Sequence, residues 1–118
     1  MEHETIAGIA AAARAKASLL RHGPRQYLIL SALAGAYVGL GIVLIFAIGA
    51  PLQAAGSGAT KAVMGASFGV ALTLVIFAGS ELFTGNNLVM TVGALSRTVA
   101  PGALGKVWAA SFIGNLAG

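Results

Sequence analysis

The sequence predicts an all-α transmembrane fold whose second span is broken. Three observations predict it. Charged residues make up 8% of the 118 positions, against about a quarter in ordinary soluble domains. Two long runs carry no charge. A single carboxylate, Glu81, then interrupts a stretch too long for one crossing. The chain is 58% hydrophobic, with a mean hydropathy of +0.90. Three acidic and seven basic residues cannot cover a soluble domain of this size, so the bilayer is the fitting solvent. Glycine is abundant at 17 residues and proline scarce at 3, as in membrane helices that pack through small residues. With no cysteine, disulfides, thiol catalysis and thiolate metal sites are excluded. The net charge of +4 does not point to nucleic acid. The basic residues flank apolar runs, where they set topology.

Residues 1–24 form a polar prelude, read as a cytoplasmic amphipathic helix on the membrane surface. Thr5 is its expected N-cap, and Ile6, Ile9, Ala13 and Leu20 share one face. The acidic start, Glu2 and Glu4, and the basic residues within the run argue against a signal peptide. Residues 25–118 form the membrane domain. No charge occurs from Gln26 to Thr60, and the apolar core from Tyr27 to about Leu52 is long enough for a tilted span. Pro51 is expected to stop it, with Arg25 and Tyr27 as interfacial anchors. Gln53 to Lys61 reads as a loop.

The next charge-free run is Ala62 to Ser80. A continuous helix from Ala62 to Ser96 would be about 50 Å long, against a hydrocarbon core of about 30 Å. The string ELFTGNN, residues 81–87, is the expected interruption. Gly85 allows unusual backbone angles, and Thr84, Asn86 or Asn87 could cap a new helix. Arg97 to Lys106 reads as a second loop, and Trp108 as an interface marker. From Val107 an apolar helix begins, and the chain is expected to end within this third span. Four basic residues precede the first span, one lies in the first loop and two in the second. The positive-inside rule therefore places the N-terminus in the cytoplasm.

Glu81 carries the sharpest chemical signal. A charge at bilayer depth costs on the order of 3 kcal/mol and usually faces a bundle interior or a pathway. Here it either organises the loop or sits at an interface. Broken helices aim their ends at substrates, and N-terminal ends favour anions. Gly35/Gly39, Gly65/Gly69 and Gly114/Gly118 have helix-packing spacing. Asn115 is expected to hydrogen-bond between helices. Phe68 and Leu72 share a helical face, which spacing alone assigns to lipid or protein. His3 and His22 fall in the prelude. No metal-ligand cluster, phosphate loop or nucleophile–base pair occurs, so no enzyme activity, metal or cofactor is expected.

The stretches AGAYVGLGIVLIF (34–46) and GASFGVALTLVIFAGSELFTGN (65–86), with SFIGNLAG (111–118), resemble the formate/nitrite transporter family, and in detail its nitrite-channel branch. The resemblance runs from about Arg25 to the end. It implies an aquaporin-like six-span channel of two inverted repeats, assembled as homopentamers with one pore per protomer. This chain corresponds to the first repeat: span 1, a broken helix 2a/2b, and the start of span 3. Phe68 and Leu72 match the family's pore constrictions, and Leu82, Phe83 and Thr84 its pore loop. Glu81 matches the acidic residue at the loop start, with Gly85, Asn86 and Asn115 organising the loop. The second repeat, with its pore histidine and anion-attracting lysine, has no counterpart here, and His3 and His22 precede the first span. The sequence is expected to be a fragment.

The implied function is passage of small monovalent anions, nitrite first, across a bacterial cytoplasmic (inner) membrane. Formate or hydrosulfide are the alternative substrates, and a non-transporting membrane scaffold is the alternative class.

Overall fold

The computed structural model describes residues 2–118, which form five helices. They are α1 (Glu2–His22), α2 (Pro24–Ala54), α3 (Thr60–Phe77), α4 (Phe83–Leu95) and α5 (Pro101–Ala117). No strand occurs among the described residues, in line with the predicted all-α class.

Helix α2, 31 residues long, reaches about 46 Å, and α3, with 18 residues, about 27 Å. Both are long and apolar enough to cross a membrane, with mean hydropathies of 2.4 and 1.7. Only 17% of the apolar stretch of either is buried. The core helix of a soluble protein hides such a surface. Here Val43, Phe46, Ile76 and Phe77 are all more than half exposed, as lipid-facing side chains are.

Several boundaries differ from expectation. Helix α1 begins at Glu2, so Thr5 lies within its first turns rather than at its cap. Of the face expected to be apolar, Ala13 is fully buried, Ile9 and Leu20 are half-buried, and Ile6 is exposed. Pro24 begins α2, where its missing N–H costs nothing. Pro51 does not stop α2 but sits in its last turn, where only one helical bond is forfeited. Pro101 likewise begins α5, so the second loop ends at Ala100 rather than at Lys106. Tyr27 and Trp108 point inward. Tyr27 is fully buried in a core with Ala13, Met90 and Val107, and Trp108 packs against that core.

Packing follows the small residues. Helix α2 carries α3 along one side and α5 along another, while α4 packs on α1 and α5. A Cβ added at Gly35 would strike the Asn115 backbone, and one at Gly114 the Ser31 side chain. These two glycines let α2 and α5 meet nearly backbone to backbone. Gly93 does the same for α4 against Ala13 of α1. At Gly39, Gly65 and Gly69 an added Cβ meets nothing within 4 Å among the described residues, so those glycines take no part in the contacts between these five helices. Gly35→Ala is therefore expected to cost about 1–3 kcal/mol through overpacking, because main chain cannot yield as a side chain can. Gly39→Ala, on the same helix, should leave the melting temperature in detergent unchanged. Equal melting of the two variants would contradict this account of the α2–α5 contact.

Candidate functional site at the helix break

The second span stops four residues before Glu81. Helix α3 ends at Phe77 with Ala78 as its C-cap, and Gly79 turns into the left-handed region at φ +60°. The Ser80 N–H then donates to the Val75 carbonyl (3.0 Å) and the Gly79 N–H to that of Ile76 (3.1 Å). This pair of bonds is the Schellman stop, which favours glycine at that position. The interruption is thus residues 78–82, and Gly85, Asn86 and Asn87 lie inside α4. Gly85 supplies no special backbone angle. The missed signal was the Ala-Gly-Ser at 78–80, a helix stop one turn ahead of the polar string.

Beyond the stop, the chain changes neighbours. The Glu81 N–H donates to the Leu30 carbonyl at 3.2 Å. This sets the break beside the second turn of α2, about 9 Å from that helix's start. Helix α3 before the break packs on α2, whereas α4 after it packs on α1 and α5.

None of Thr84, Asn86 or Asn87 caps α4. Its N-cap is Leu82, which has no side-chain acceptor. The cap comes from α5: Asn115 Oδ1 accepts the Phe83 N–H at 2.9 Å. Asn115 Nδ2 donates to the Glu81 carbonyl (2.9 Å) and to that of Ser31 (2.8 Å). One amide thus joins α2, the break and α4. The glycines at 35 and 114 bring α5 close enough for this.

Glu81 is 6% exposed. Its Oε2 accepts from Lys16 Nζ at 2.7 Å, a pair from residues 65 apart in sequence. The N-terminal helix, expected on the membrane surface, therefore reaches into the break and supplies the countercharge there. Asn86 is fully buried in α4. Its Nδ2 donates to the Tyr27 hydroxyl (2.8 Å), and its main-chain carbonyl accepts from Trp108 Nε1 (3.3 Å). This explains why both aromatic residues face inward: their polar tips are used there.

The start of α4 offers unused donors. Asn115 takes the Phe83 N–H, and the Asn86 N–H closes on the Leu82 carbonyl (2.9 Å). The N–H groups of Thr84 and Gly85 bond to nothing among the described residues, and both residues are exposed. Phe83, half-buried, stacks edge-on against Phe112, their ring centroids 5.3 Å apart. Leu82 is half-buried. Phe68 and Leu72 lie on α3, exposed on the outside of the bundle. The Phe68 ring lies over Gly41 of α2. Among the described residues, no group of three or more His, Asp or Glu side chains is placed to hold a metal ion.

The Formate/nitrite transporter family profile matches residues 3–118. The chain belongs to this family. The match takes in α1 as well as the membrane helices, consistent with the contact between Lys16 and Glu81. Among family relatives, the chain is 45% identical over 115 residues to the nitrite transporter NirC of Salmonella typhimurium, covering 98% of this chain and 42% of that protein. It is 44% identical to NirC of Escherichia coli over the same shares. Its fold matches an FNT family ion channel with a TM-score of 0.90 and 44% identity, over 98% of this chain and 45% of the channel. The chain thus spans less than half the length of these family members, and its architecture is that of the corresponding part of an FNT channel.

Proposed function

We propose that this chain forms one wall of a membrane pathway for small monovalent anions, with nitrite as the first substrate. The observation that carries the proposal is the start of α4. Two unused N–H groups, at Thr84 and Gly85, belong to exposed residues beside a break in an otherwise apolar span. The positive end of the α4 dipole adds to them. Backbone freed from the helical ladder at this depth persists only beside protein or a water-filled path. Leu82, Phe83 and Thr84 line the path, and Phe68 and Leu72 form its narrow point. Glu81, Gly85, Asn86 and Asn115 hold the loop. Glu81 stays neutralised by Lys16, so it does not repel an approaching anion. Nitrite is favoured by the similarity to the two NirC proteins, whose names specify that substrate. The working form is a homopentamer in a bacterial cytoplasmic membrane with α1 on the cytoplasmic side.

The test is nitrite flux into liposomes that carry the native-length protein, with formate and hydrosulfide as competitors. Thr84→Ala and Phe68→Ala are expected to change nitrite flux at least several-fold without loss of folded protein. Flux absent from the unmutated protein would make the chain a membrane scaffold instead, whereas flux unaltered by both substitutions would remove the Thr84 and Phe68 side chains from the pathway. Stronger competition by formate than by unlabelled nitrite would reassign the substrate.

A further inference from the structure

A second feature lies away from the break. The C-terminal half of α1, the turn at 98–100 and the start of α5 enclose a cleft of about 690 Å³. Arg14, Arg21, His22 and Lys106 line it, and Leu20 and Val99 contribute apolar surface. Arg14 and Arg21 are seven residues apart, two turns along one face of α1. All four polar residues are exposed.

Among the described residues, Arg14, Arg21 and Lys106 have no countercharge. The sequence holds three acidic residues. Glu81 is taken by Lys16. Glu2 and Glu4 stand at the far end of α1, where even Arg14 is about 15 Å along the helix from Glu4. The cleft is thus a cationic rim over an apolar floor. Leu20 and Val99 also pack against the buried core, which fixes that floor in place. The start of α5 adds its positive dipole end. The volume is of the size that holds drug-sized ligands and exceeds what one inorganic anion fills. Basic pockets between membrane helices on the cytoplasmic side suit anionic lipid headgroups.

We propose that this cleft binds the phosphate headgroup of an anionic membrane lipid. Arg14, Arg21 and Lys106 hold the phosphate, and the glycerol backbone lies over Leu20 and Val99. The site needs α2 and α3 to span a bilayer, and is independent of which anion the pathway carries.

Native mass spectrometry of the native-length protein tests this, with phosphatidylglycerol and phosphatidylcholine titrated in parallel and inorganic phosphate as competitor. Phosphatidylglycerol adducts should form at concentrations where phosphatidylcholine gives none, and millimolar phosphate should not displace them. At about fivefold per basic residue, Arg14→Gln, Arg21→Gln and Lys106→Gln together should weaken phosphatidylglycerol binding on the order of 100-fold. Lys61→Gln, at the opposite end of the α2–α3 hairpin, removes the same kind of charge and should leave binding unchanged. Equal binding of the two lipids to the unmutated protein would overturn the proposal. So would wild-type binding by the triple variant, or displacement by submillimolar phosphate, which would mark a free-anion site instead.

Discussion

Replacing Lys16 with methionine is expected to destabilise the protein by about 3–5 kcal/mol. The substitution keeps the length and apolar stem of the side chain and removes only the ammonium. What remains is the Glu81 carboxylate, 7% exposed and stripped of the partner 2.7 Å away. A buried charge left alone costs far more than the pair contributes when intact. Glu81→Gln should be milder, because Lys16 is 21% exposed and its flexible stem can carry the ammonium to water. The double substitution should recover most of the loss, since neither member is then a stranded ion. Thermal melting of all four proteins in detergent gives the coupling directly. Additive effects would show that the pair does not hold the break. Nitrite flux should fall with Lys16→Met even though Lys16 lies on the N-terminal helix, and recover in part with the double variant.

Asn115→Leu is the second large effect. The volume is nearly kept, but the Phe83 N–H and the Glu81 carbonyl both lose their partner. Each orphaned group costs about 1–3 kcal/mol, so a loss of roughly 2–6 kcal/mol is expected. The Ser31 carbonyl is less affected, because it sits inside α2. Ser111 provides the control. It lies one turn earlier in α5 and is fully buried, but its hydroxyl donates to carbonyls of its own helix, at Val107 and Trp108. Ser111→Ala should therefore cost under about 1 kcal/mol. Similar melting of Asn115→Leu and Ser111→Ala would remove the remote cap from the account of how α4 begins.

Much of the fold was legible because hydropathy is local. Charge-free runs located α2 and α3, and the excess length between Ala62 and Ser96 required an interruption. Its position was misread because Gly85 and the asparagines after it have the composition of a cap, whereas Gly79 closes an apolar run just ahead of them. Left-handed glycine ends a helix through bonds to its own last turn, and those bonds leave little trace in composition. The side-chain cap was not legible either. It comes from Asn115, 32 residues away, and local propensity rules see only neighbours. Tyr27 and Trp108 looked like interface markers because each is amphipathic. Their inward placement depends on Asn86 offering an acceptor and a donor in the core, a pairing across separate helices. The candidate pathway residues Phe68, Leu72 and Thr84 came from family resemblance, and spacing alone leaves the first two facing lipid or protein.

The amide of Asn115 also sets an order of events during synthesis. Phe83 and Glu81 leave the ribosome 32 and 34 residues before the side chain that satisfies them. At about 5–20 residues per second, the start of α4 waits seconds for its cap. Its carboxylate can pair sooner, because Lys16 is made first, 65 residues earlier. The nascent break can thus be neutralised before it is capped. Until α5 arrives, the segment from Ser80 to Thr84 must borrow partners from water or from the insertion machinery.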